Sequence, residues 1–254
     1  MDKVLQDALF NYLLHLGDTQ LILSHRLSEW CGHAPELELD IAMTNISLDL
    51  LGQARTVLTL AGEVEGKERT EDQLAFLRTE REFKNLLLCE QPNGDFAHTL
   101  VRQWFMDHYH QLLFTELSSS SLTPLAAFAV KSLKEVNYHL RFSSGWIQRL
   151  GLGTPESAAR TQAAIDELWR FTGELFTKVP SEDQLVAEEI IPELTPLAVQ
   201  WQERIEQELR EAQLRLPEKP AYRHGGKQGQ HTEHLGLLLA EMQTLQRSYP
   251  NLSW

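Results

Sequence analysis

Cysteine is nearly absent from this chain. Only Cys31 and Cys89 occur in 254 residues, far apart and in no CxxC spacing. That spacing offers neither a thiolate zinc site nor a disulfide framework. Basic charge is also scarce: 23 Lys and Arg stand against 36 Asp and Glu, a formal net charge of −13. Phosphate contact needs clustered Lys and Arg, so general nucleic-acid binding is disfavoured, as is docking on anionic lipid. No apolar run approaches the ~20 residues that span a bilayer. The opening segment MDKVLQDALFNYLLHLGDTQ is broken by Asp, Gln, Asn and His, unlike a signal peptide. A reduced, cytoplasmic protein is expected. Runs of alternating β-branched residues with hairpin turns are missing too.

What is present is helical periodicity. Leu5, Leu9, Tyr12, Leu16, Leu23, Leu27 and Trp30 recur at three- and four-residue steps, one helix face, until Gly32. Pro35 with Glu36 and Glu38 predicts the start of a second helix, which Ile41, Leu48, Leu51 and Leu58 carry to about Gly62. Two shorter helical pieces are expected over 70–91. Asp95 is placed to cap a long helix reaching Leu117, and Ser118–Ser121 reads as an interhelix turn. Thr123-Pro124 opens the next helix, to LGLG at 150–153. Thr154-Pro155-Glu156 opens another, to about Thr177. Ser181 is expected to cap a short helix, Thr195-Pro196 to start one reaching Leu214, and the last to run from about His231 to Ser248. Long helices with short Gly- and Pro-marked breaks imply an all-α bundle of antiparallel neighbours, expected as a single domain over 1–254. One long segment, RLPEKPAYRHGGKQGQ (215–230), is predicted to be a Gly-rich basic loop, with Arg215, Lys219, Arg223 and Lys227 against Glu218.

Metal chemistry in a helical bundle calls for Glu-x-x-His, which puts both ligands on one helix face. None of the ten histidines has Glu three residues before it. Asp stands there twice, at Asp95/His98 and Asp107/His110. The first is better read as a helix cap; the second is a candidate ligand pair or a polar pair at a bundle edge. In KEVNYHLRF (134–142) His139 has Val136 in the Glu position, while Glu135 lies one turn from His139. HTEH at 231–234 lacks the third and fourth ligands that zinc requires. Asn45, Asp49 and Gln53 form a polar line on the second helix. The glycines at 225, 226 and 229 beside Arg223 and Lys227 would allow anion contact, such as the phosphates of a coenzyme A thioester, though a partner-contacting loop suits them better.

Three stretches together, LDLLGQAR (48–55), KEVNYHLRF (134–142) and GGKQGQHTEHLGLLLAEMQ (225–243), resemble the non-catalytic subunit family of the multicomponent 1,2-phenylacetyl-CoA epoxidase. The resemblance extends over essentially the whole chain. It implies a ferritin-like helical bundle with additional C-terminal helices. It also implies a sister subunit that holds two irons, a reductase that supplies electrons, and epoxidation of the ring of phenylacetyl-CoA. The catalytic sister draws ligands from a D-E-x-G-H-A-R-like and a K-E-E-x-x-H-like stretch. Laid on this sequence, their Glu positions become Leu50 and Val136 and one His becomes Gln53; His139 survives. The resemblance therefore implies no cofactor in this chain and a degenerate metal site at Asp18, Asp49, Leu50, Gln53, Asp107, Glu135, Val136 and His139. The polar members are expected to hydrogen-bond or ion-pair, and exposed apolar positions on the first two long helices to face the partner. Two alternatives stay open: a divergent metal-binding oxidase or oxygenase using Asp107, His110 and His139, and a subunit gripping a coenzyme A thioester through Arg223 and Lys227.

Overall fold

The computed structural model describes residues 2–217 and 221–249. Glu218 and Lys219 of the basic segment lie outside them. Among the described residues the fold is all-α, with ten α-helices and no strand. Contacts divide the chain into two compact units. The first comprises Met1–His33, Glu38–Pro92 and His224–Trp254, the second Ala34–Leu37 and Asn93–Arg223.

The first unit is framed by α1 (Lys3–Ser28) and α2 (Leu37–Glu65). Asp2 starts α1, its carboxylate accepting from the Leu5 N–H at 2.7 Å. Every residue from Tyr12 to Ser24 is buried, so the central turns of α1 have no solvent face. Small residues set its approach to α2. A Cβ at Gly17 would meet the Leu58 side chain at 2.8 Å. Ser24 and Ser47 exchange hydrogen bonds, each hydroxyl donating to the other's carbonyl at 2.7 and 2.9 Å. α2 begins at Leu37, two residues after Pro35, and runs past Gly62 to Glu65. The two shorter helical pieces expected over 70–91 form, but both are brief. Only α3 (Glu71–Phe76), a 3₁₀ turn at Glu80–Glu82 and α4 (Leu87–Glu90) form there. This segment crosses the unit, and its backbone groups are met by side chains instead.

In the second unit α5 (Phe96–Leu117) lies against α6 (Thr123–Gly151), α7 (Pro155–Leu168) and α9 (Leu194–Glu211). Asp95 caps α5 as its spacing predicts, accepting from the His98 N–H at 2.9 Å, and Thr154 caps α7 in a capping box with Ser157. The helix expected to reach Thr177 ends at Leu168 and tightens into a 3₁₀ stretch, Trp169–Phe176. The tighter winding brings Gly173 against the Tyr222 ring, where a Cβ would lie 2.6 Å from the ring. α8 (Glu182–Ala187) has no side-chain cap from Ser181, and α9 starts after Glu193 rather than at Thr195. An aromatic cluster closes the unit: Phe105, Trp169, Phe176 and Trp201 have ring centroids 5.6–5.7 Å apart, and the Trp201 indole donates to the Phe105 carbonyl at 3.1 Å. Trp201→Ala should lower stability by about 3–5 kcal/mol, the usual cost of emptying a buried aromatic site, measured by urea denaturation.

Candidate functional site

α10 (Glu233–Ser248) starts two residues later than HTEH suggested, and His231 stands outside it. Its ring is buried in the first unit. Nδ1 lies 2.9 Å from the Glu90 carboxylate and Nε2 lies 2.9 Å from the Phe83 carbonyl. Both neighbours are acceptors. Glu90 also accepts from the Thr232 N–H at 2.6 Å and the Asn85 amide at 2.9 Å. An acceptor on each ring nitrogen favours the doubly protonated form of His231. Burial pushes its pKa down, but the hydrogen bond and charge of Glu90 and the Phe83 carbonyl outweigh that and raise it above 6.5.

The glycines before His231 serve the same contact. A Cβ at Gly226 would run into the Asn85 carbonyl, and one at Gly229 into the Arg81 carbonyl; Gly229 also has φ +76°. Residues 226–228 form a 3₁₀ turn, and Lys227 is only 9% exposed. Lys227 is therefore not an exposed member of the basic segment. Lys227 belongs to the first unit and is buried, whereas Arg223 is exposed in the second, its backbone N–H on the Arg170 carbonyl at 2.7 Å. Farther along α10, Gln243 donates to the Ala75 and Arg78 carbonyls at 3.0 Å each and Arg247 to the Arg78 carbonyl at 2.8 Å.

Asp18, next to Gly17 on α1, is fully buried and ion-paired. The Arg78 guanidinium engages both its oxygens, Nη1 at 2.9 Å from Oδ2 and Nη2 on Oδ1, and the Lys84 N–H adds a third donor at 2.8 Å. Arg78 has its own supports: the Leu74 and Glu82 carbonyls, at 2.5 and 3.0 Å, and the Phe83 ring, 4.4 Å from the guanidinium carbon. On α2, Leu50 and Gln53 are buried and Asp49 is half-buried.

In the second unit α5 and α6 bring together Gln103, Asp107 and Ser143. The Gln103 amide donates to Asp107 Oδ1 at 2.6 Å and the Ser143 hydroxyl to Oδ2 at 2.7 Å. Val136 and His139 are fully buried two turns and one turn before Ser143, and Glu135 is half-buried. His110 is buried and stacked on Phe114, centroids 5.3 Å apart, which places the Asp107/His110 pair in the interior rather than at an edge. Burial drives the Asp107 pKa up to about 6 against the pull of His139, Ser143 and Gln103. Burial, with the charge of His139, holds His110 down to about 3. Among the described residues no group of three or more His, Cys, Asp or Glu side chains is arranged to hold a metal ion.

Arg78, Glu90, Gln103 and Ser143 were not singled out from the sequence. Gln103 and Asp107 are i,i+4 neighbours, a usable signal; no local pattern marks Arg78 or Glu90, whose partners lie 60 and 141 residues away.

Two comparisons with known proteins bear on this arrangement. The family model described as "Phenylacetic acid catabolic protein" matches residues 1–254. The chain is 54% identical over 243 residues to a protein of Escherichia coli (strain K12) named as one of the subunits of 1,2-phenylacetyl-CoA epoxidase, a match covering 96% of this chain and 98% of that protein.

His231 and Asp107 both lose stabilisation as pH rises, and His110 gains it. His231 has a raised pKa, so its contribution is full below 6.5 and is lost as the pH climbs through the raised value. His231→Gln should therefore cost about 3 kcal/mol at pH 6 and less at pH 9 in denaturant titrations, since it leaves Glu90 buried without its countercharge. Asp107 keeps in the folded state a proton that the unfolded chain releases between pH 3.8 and about 6, so its contribution falls as pH rises through that window. His110 acts oppositely, gaining stability as pH rises between about 3 and 6.5. The stability of Asp107→Asn relative to wild type should grow across about pH 4 to 6 and then level off, a difference that leaves the His110 contribution out.

Proposed function

Since the chain belongs to the phenylacetic acid catabolic protein family, all-α and ferritin-like, we propose that it is a non-catalytic structural subunit of a multicomponent phenylacetyl-CoA epoxidase. Its partner in this reading is a di-iron oxygenase subunit, served by a reductase, and the assembly works in the cytoplasm. The relative named as a subunit of that epoxidase supports the assignment to the complex. No described helix is long and apolar enough to cross a membrane.

The observation that carries the non-catalytic role is the burial of Leu50 and Val136. Both have 0% exposure and stand where the family resemblance places Glu ligands. An alkyl side chain has no lone pair for iron, and here each fills core volume instead. The carboxylates at hand are engaged otherwise. Asp18 is saturated by Arg78 and the Lys84 N–H, and Asp107 takes a donor on each oxygen from Gln103 and Ser143. These side chains do not fit a di-iron centre, and no catalytic step is assigned to them. Their role is to hold helices in place, so that the chain acts by shape and contact, as supporting side chains do around a metal centre.

Lys227, buried against its own unit, weighs against a coenzyme A grip shared with Arg223. Co-expression with the di-iron subunit should give a stable heteromer with epoxidase activity, while the isolated chain should be inactive and free of stoichiometric iron by metal analysis. Activity or stoichiometric redox-active iron in the isolated chain would overturn the reading.

A further inference from the structure

Large apolar side chains are left in solvent along one face of α2. Ile41 is 53% exposed, Leu48 59% and Leu51 43%. Their spacing, with Gly52 and Arg55, keeps them on a single side of the helix at 100° per residue. α1, by contrast, shows solvent only one large apolar side chain, Val4; the face expected on the first two helices is confined to the second. Beside Leu48 and Leu51 an open groove of about 550 Å³ runs to α3, walled by Leu58, Ala75 and Phe76 and edged by Glu71 and Asp72.

Gly52 lies in this groove and has no internal explanation. A Cβ built there meets nothing within 4 Å. Gly17 and Gly62 are different: each has a neighbour within 3 Å of the added atom. Glycine in a helix interior lowers helix stability relative to Ala. Among the described residues no other element comes within 4 Å of that position, so the close approach that a mid-helix glycine permits is left to another molecule.

Charge narrows the choice of molecule. From Glu38 to Asp72 there are eight acidic and three basic residues. All three bases are taken within the chain: Arg55 by Glu71 at 3.2 Å, and Lys67 and Arg69 by Glu65 at 3.2 and 2.6 Å. Of the charges that line the groove, Arg55 and Glu71 pair with each other, which leaves the Asp72 carboxylate on the rim. A second copy would set two such carboxylate rims together, which like-charge repulsion opposes.

We infer that the Ile41–Leu48–Leu51 ridge, with Gly52 as the crossing point and Asp72 on the rim, seats an amphipathic helix of the partner subunit whose apolar face is flanked by Lys or Arg. The inference rests on the subunit reading above and adds where the partner sits and what chemistry it brings. Helix-in-groove recognition uses such spaced anchors. A small residue lets two helix backbones come close, as at the Gly17 contact within this chain.

The test uses the full chain and the di-iron subunit of the same organism's epoxidase, with Kd measured by interferometry and mass by light scattering. Leu48→Glu and Leu51→Glu should each weaken the complex about 30-fold or more, the scale of a central hot spot, with unchanged circular dichroism because both side chains are exposed. Asp72→Lys should weaken it by several-fold and flatten its salt dependence. Gly52 gives opposite signs. Gly52→Ala should raise the Tm of the isolated chain by about 2–4 °C, whereas Gly52→Leu should weaken the complex with the fold intact. If wild type forms the complex and the Glu variants bind within roughly threefold of it, the seat is wrong and the subunit reading stands. Self-association of the isolated chain that Leu48→Glu abolishes would assign the face to a second copy and overturn the inference. A wild-type chain that binds no di-iron subunit overturns both.

Discussion

A carboxylate taken out of water needs either a metal or a full set of donors, and this chain meets that constraint with donors. Asp18, Glu90 and Asp107 are all fully buried. An unpaired charge at any of these places would be strongly destabilising. Each is answered differently. Asp18 has a guanidinium and a backbone N–H; Glu90 has the His231 ring, an amide and a backbone N–H; Asp107 has two neutral donors and a raised pKa. The surrounding chain is organised by these choices. Between α3 and α4, residues 77–86 leave α-helix, and Arg78 and Lys84 there supply the donors to Asp18.

The same constraint accounts for the most distinctive motif. GGKQGQHTEH looks like an anion loop or a metal pair when read as sequence. In the fold it is the strap that places His231 over Glu90. Gly226 and Gly229 are there because backbone carbonyls of 81–85 occupy the space a side chain would need. The His231 ring points inward, to a carboxylate of its own chain, not outward to phosphate. Asp107 and His231, one from each of these two candidate motifs, are thus held by hydrogen bonds in the interior.

Helix existence was legible in the sequence wherever a cap and a period coincided. Asp95, Thr154 and the Thr123-Pro124 start are local signals with local causes, and they hold. Boundaries failed where the deciding contact was remote. The stretch after Leu168 tightens beside Tyr222, and between α3 and α4 backbone groups of Arg78 and Lys84 are met by side chains from α10 and α1. Leu50 and Val136 could be read as non-ligands from their side chains alone, because no environment gives an alkyl group a lone pair. What surrounds Asp18 could not be read, since Arg78 is 60 residues away.

By itself the sequence determined the helical class, the acidic balance and the family resemblance, because composition, period and motif identity are properties of neighbouring residues. Tertiary structure alone decided which polar side chains meet, which proton states they hold and which apolar face stays in water. Those depend on burial and on partners brought together across the chain, and a linear pattern carries neither.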